Sequence, residues 1–139
     1  MSSLKVLFVA GFGPVVRDPA ASAAFYRDAL KLPLESTPND PGYLHTGKLE
    51  GVKHFALWPL SGAAQSCFGQ DNWPADTPAP TSWLEFDVED VAAASAVLIA
   101  KGYKLLVNNR TEPWGQVVSR LLSPEGILVG VTYTPMFRK

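Results

Sequence analysis

Along this chain, hydrophobic and polar positions alternate with a period of two in several stretches and with a helical period in two others, and the switches between the two mark its elements. Trp83-Leu84-Glu85-Phe86-Asp87-Val88 alternates most cleanly, sending Leu84, Phe86 and Val88 to one face of a strand and Trp83, Glu85 and Asp87 to the other. Leu4 to Val16 is a second apolar strand, with Phe12, Pro14 and Val16 opposite Gly11, Gly13 and Val15. Its proline donates nothing to a ladder, which predicts an edge, a bulge or the mouth of a sheet. A helical pattern follows each strand. Ala21, Phe25, Ala29 and Leu32 form the apolar stripe of a helix over 19–31, and Val91, Ala94, Val97 and Leu98 that of a second, closed by Gly102. Asp18 and Asp90 stand where each helix needs a cap, and Pro19 fits a first helical turn.

Short strands over 34–36, 43–46 and 52–58 follow the first helix, with turn-forming Thr37 to Gly42 between the first two. After the second helix come a strand from Tyr103 to Val107, the Glu112-Pro113-Trp114-Gly115-Gln116 loop, and two apolar runs flanking Ser123-Pro124-Glu125-Gly126, so the chain ends in a hairpin. Strand, aspartate and alanine-rich helix recur about seventy residues apart, as Asp18-Pro-Ala-Ala-Ser-Ala-Ala and Asp90-Val-Ala-Ala-Ala-Ser-Ala. The pattern predicts an α+β domain over 1–139 made of two β-α-β-β-β modules, 4–60 and 82–134. Residues 61–81, with Gly62, Gly69, Pro74, Pro78 and Pro80, are expected to form a long connector or lid, its Phe68 and Trp73 buried as a flap over a cavity.

Twelve basic against thirteen acidic residues leave a net charge of -1, so the chain carries no basic field for nucleic acid or anionic lipid. One cysteine, Cys67, excludes an internal disulfide and a CxxC pair, and no histidine-aspartate pattern beside it suggests a nucleophile. The apolar start is interrupted by Gly11, Gly13 and Pro14, unlike a signal peptide, and no run reaches the ~20 apolar residues of a membrane span. A cytoplasmic protein is expected.

Val-Arg-Asp-x-x-x-Ser-x-x-Phe-Tyr from Val16 to Tyr26, Asp87-Val-Glu-Asp-Val91, and the Glu112 to Gln116 loop followed by Ser123 to Gly126 together resemble the vicinal oxygen chelate superfamily of glyoxalases, bleomycin resistance proteins and extradiol dioxygenases. The resemblance runs over nearly the whole chain. It implies curved mixed sheets around a cavity, helices on the outer face, and a homodimer as the common assembly. It also places the three ligands of metal-dependent relatives on Gly11, Trp83 and Gly130, none of which has a donor for a divalent ion. A member without metal or other cofactor is therefore expected, although His45, His54, Glu85 and Glu112 offer donors without a standard ligand spacing.

A cavity relieved of its ligands gains room and, in Trp83, a flat aromatic wall. Trp58 shares a strand face with His54 and Ala56, Trp114 lies in the loop expected to roof the site, and Gln116 offers an amide to a ligand or to the turn backbone. His45 is expected near a strand end, in solvent. These residues suggest metal-independent binding of a small apolar or aromatic molecule, as sequestration or carriage of the bleomycin-resistance kind. The alternative is a related enzyme with lyase or isomerase chemistry, using a relocated metal site or Glu85 as acid or base; the same Glu85 equally suits an ion pair with Arg120 or Lys104.

Overall fold

The structure, a computed structural model, describes residues 4–138. Its elements are β1 (Val6–Val16), α1 (Pro19–Ala23, continuing as a π-helical stretch over Ala24–Ala29), β2 (Glu35–Thr37), β3 (Asp40–Thr46), β4 (Phe55–Pro59), α2 (Leu60–Phe68), β5 (Ser82–Val88), α3 (Val91–Ala100), β6 (Val107–Thr111), β7 (Val117–Leu122) and β8 (Leu128–Tyr133), then a 3-10 turn over Pro135–Phe137. All strands join one open mixed sheet in the order β2-β3-β4-β1-β5-β8-β7-β6. β1 runs parallel to β4 and β5 parallel to β8, while β1 and β5 meet antiparallel. The two four-strand halves are thus laid back to back, with their first strands at the centre. β1 is an interior strand. The accommodation that Pro14 called for takes the form of a strand end, where Pro14 pairs with Ser82 at the start of β5, and separate register shifts fall between Val6 and Phe8 and between Val9 and Gly11.

Alternation divides the side chains between the faces as the sequence pattern requires. α1 covers one outer patch, packing Ala23 and Tyr26 on Val16, Leu44, Phe55 and Leu57. α3 covers the other, closing Val91 and Ala94 on Val88 and Val131, and its Ser95 hydroxyl meets that of Ser119 at 2.5 Å. Both expected caps form, with Asp18 accepting from the Ala21 amide at 3.2 Å and Asp90 from that of Ala93 at 3.0 Å.

The connector departs from expectation. Residues 60–68 form α2, which starts after Pro59 and ends at Gly69 in the left-handed region, φ 71°. Ala63, Ala64 and Cys67 are its buried residues, and Ala63 and Cys67 pack against the inner face of the sheet with Val15, Ala56, Trp83 and Leu128. Burial pushes the Cys67 thiol up to about 11. Phe68 and Trp73 make an edge-to-face pair at 4.9 Å on the flank of this cluster, and the Trp73 indole donates to the Thr77 carbonyl at 3.0 Å. They bury one another instead of forming a flap, and neither borders the cavity.

Gly11 and Gly13 let β1 sit close to its neighbours. A Cβ at Gly13 would stand 1.9 Å from the Ala56 carbonyl oxygen and 3.0 Å from the Trp83 indole nitrogen, and one at Gly11 would stand 2.6 Å from the His54 carbonyl oxygen. Backbone cannot yield as a side chain can. Gly13→Ala is therefore expected to cost about 3 kcal/mol or more in urea unfolding, whereas Gly42→Ala, whose Cβ would meet Pro59 at an ordinary 3.5 Å, is expected to stay within about 1 kcal/mol. Equal losses would show that the approach at Gly13 does not constrain the sheet.

Candidate functional site

The inner face of the sheet encloses a cavity of about 920 Å³ to which both halves contribute. Register builds its floor. Gly11 of β1 pairs with Glu85 of β5, Glu85 with Gly130 of β8, and Gly130 with Arg120 of β7, so the four lie in one row across adjacent strands. The sequence placed the middle of the three family ligand positions on Trp83; the register puts Glu85 in line with the two glycines. Trp83 is one step along the strand pleat, 4 % exposed, with its indole nitrogen donating to the Ala56 carbonyl at 3.1 Å.

The two glycines leave the space that Glu85 and Arg120 fill. A Cβ at Gly130 would lie 3.0 Å from the Glu85 side chain and 3.5 Å from the Arg120 guanidinium. Arg120 donates through Nη1 to Glu85 Oε2 at 2.7 Å and through Nε to Ser66 Oγ at 3.1 Å, and its guanidinium lies 4.9 Å from the Trp58 ring centroid. Glu85 Oε1 accepts from Gln116 Nε2 at 3.2 Å. Gln116 in turn accepts from the Trp114 indole at 3.0 Å and donates to the Thr132 hydroxyl at 2.9 Å. Arg110 Nη2 donates to Ser66 Oγ and to Glu112 Oε2, both at 3.0 Å, so Ser66 of α2 joins two arginines from β6 and β7. Glu85 is accordingly one member of an ion pair and not a lone desolvated carboxylate.

This floor does not fit a metal. Two of its positions have no side-chain donor, and its carboxylate is already held by a fixed cation. His45, His54, Glu85 and Glu112 all border the cavity, yet among the described residues no group of three or more His, Cys, Asp and Glu side chains converges as a ligand set.

The wall opposite the ion pair is aromatic. Tyr43 and His45 on β3 and His54 just before β4 hold their rings within 28° of parallel, with centroids 5.7 to 6.1 Å apart. The Tyr43 hydroxyl meets His54 Nε2 at 2.7 Å. Burial, reinforced by the Glu85 charge, pushes the tyrosine hydroxyl well above its ordinary range, and burial pushes His54 below its ordinary value against the pull of Glu85. Both are neutral at pH 7. Trp58 stands edge-on to Trp83 at 6.2 Å, and the 3-10 turn after β8 brings Phe137 within 6.0 Å of His54.

Of the residues singled out in the sequence, Trp58, Trp83, Glu85, Gln116, His54 and Trp114 all border this cavity. Their parts differ. Trp114, 59 % exposed, lies at the rim, and Gln116, 6 % exposed, is a hub of the polar network. His45, expected in solvent, is half-buried in the wall. Tyr43, Ser66, Arg110, Met136 and Phe137 were not anticipated as site residues. Tyr43 sits two residues before His45 on one strand, a period-two signal that would have found it, but no local pattern announces a tail residue folded back over the sheet.

Fold and cavity define a two-module α+β protein built around a ligand-sized chamber. The chain belongs to the glyoxalase/bleomycin resistance protein/dioxygenase superfamily, whose sequence model matches residues 12–131. Solved structures agree on the fold. A member of that superfamily from Vibrio splendidus 12B01 is 15% identical with a TM-score of 0.58, covering 95% of this chain and 100% of its own. Methylmalonyl-CoA epimerase from Mycobacterium tuberculosis is 16% identical with a TM-score of 0.56, over 99% of this chain and 95% of its own. The Streptomyces coelicolor epimerase reaches 18% and 0.53, over 96% and 99%. No curated protein matches the chain.

Breaking the floor's ion pair from one side should be worse than removing it whole, because a single change strands a buried charge. Arg120→Met is expected to cost about 3 kcal/mol in chemical unfolding, and adding Glu85→Gln to it should restore part of the loss. A double variant no more stable than Arg120→Met would show that the pair is not coupled.

Proposed function

We propose that this protein binds a small, planar, largely apolar molecule in the cavity and does so without a metal ion. The observation that carries the reading is the cavity itself, about 920 Å³ and walled by Trp58, Tyr43, His54 and Phe137, a volume and lining ordinary for a small-molecule site. The fixed arginine on Glu85 supports metal independence. It also weighs against Glu85 as acid or base, since the carboxylate would have to leave both Arg120 and Gln116 before exchanging a proton with a substrate. Likeness in fold to the epimerases carries no chemistry by itself. Sequestration or carriage follows from a site that offers planar aromatic surface and holds Glu85 and Glu112 in ion pairs.

Titration with 2-methoxynaphthalene, followed by tryptophan quenching and calorimetry, tests the reading. One site per chain is expected, unaffected by EDTA and weakened about tenfold by Trp58→Ala through lost stacking. No saturable binding, or binding abolished by EDTA, would overturn it.

The assembly we propose is a homodimer. Val6, Leu7, Val9 and Phe12 of the central strand β1 are 41 to 48 % exposed, and Phe25 on the neighbouring helical stretch is 54 % exposed. A second copy packed against β1 would take exposed apolar surface of this kind out of water. Sedimentation equilibrium is expected to give twice the chain mass, with Phe12→Lys shifting it toward monomer; a monomeric parent chain would end the proposal.

A further inference from the structure

The hydrogen bond between the Tyr43 hydroxyl and His54 Nε2 has a direction that matters to a ligand. A phenol is a better donor than a neutral imidazole N–H, and an imidazole nitrogen is the better acceptor, so the proton on this 2.7 Å bond belongs to Tyr43. The hydroxyl oxygen of Tyr43, a residue of the cavity lining, then keeps its lone pairs for another donor. A ligand group that donates to that oxygen completes a chain of two hydrogen bonds, each polarising the other in a poorly solvated site.

Charge narrows the class further. The lining carries three carboxylates, Asp40, Glu85 and Glu112, against two guanidiniums, Arg110 and Arg120. Both guanidiniums already hold a carboxylate, at 3.0 Å for Arg110 and 2.7 Å for Arg120. An anionic ligand would meet an acidic excess and two guanidiniums each already paired with a carboxylate, with the buried Nε of Arg110 as the donor left without a partner. From these observations, and resting on the binding reading above, we propose that the ligand is a neutral hydroxylated aromatic whose hydroxyl donates to Tyr43 while Tyr43 donates to His54.

The test compares three probes of one skeleton on the intact protein: 2-naphthol, 2-methoxynaphthalene and 2-naphthoate. The wild type is expected to hold 2-naphthol about tenfold more tightly than its methyl ether, which cannot donate, and to hold 2-naphthoate most weakly. In Tyr43→Phe the naphthol-to-ether ratio should fall to about one. A wild-type ratio within about twofold would overturn the hydroxyl assignment while leaving the binding reading standing, and that measurement needs no variant to fold. Preference for 2-naphthoate would overturn it in favour of an aromatic acid. Failure of all three probes to bind would overturn the binding reading and this inference together.

Discussion

Trp83 packed on the bare glycines of β1 is the contact on which the rest of the structure depends. The indole reaches across the central strand to the Ala56 carbonyl of β4, and it can do so because Gly11 and Gly13 place no Cβ in its way. One side chain thus ties the first strand of the second module to the first and fourth strands of the first. The burial of Trp83, Ala56, Ala63, Cys67 and Leu128 in one apolar cluster draws α2 onto the inner face. A helix so placed covers part of the sheet and, through Ser66, reaches the arginines of β6 and β7.

The floor of the cavity carries charge. A row that reads glycine, glutamate, glycine and arginine across four strands puts an anion and a cation side by side with side-chain exposures of 14 and 4 %. The pair repays its desolvation through direct hydrogen bonds to each other and to Gln116 and Ser66, which leaves little unmet polarity for a ligand to satisfy there. Polar recognition is thereby moved to the other wall. Tyr43 and His54 are neutral, bonded to each other and part of the lining, whereas Glu85 is spoken for.

How much of this was legible in the sequence differs from element to element. The strand 82–88 and both helix starts were readable because alternation, an aspartate cap and a following apolar stripe are local signals. α2 was not, because proline and glycine on its flanks outweighed a short buried face whose Ala63, Ala64 and Cys67 have small side chains and weak hydropathy contrast. Pro14 left an edge, a bulge or the mouth of a sheet open; β1 is an interior strand whose pairing with β5 ends at Pro14 and Ser82. Spacing along one strand does not reveal that Glu85, and not Trp83, lies opposite Gly11 and Gly130.

The sequence by itself determined two modules, the faces of their strands, the absence of side-chain donors at Gly11 and Gly130, and a set of aromatic residues available to line an interior. These are properties of period and residue type, which short-range physics fixes. Only the tertiary structure decided that Glu85 belongs to Arg120, 35 residues away, that Tyr43 belongs to His54, and that the last turn of the chain brings Phe137 to the cavity wall. Register between distant strands sets each of those meetings, and register follows from how the whole sheet buries its inner face, a quantity no local stretch contains.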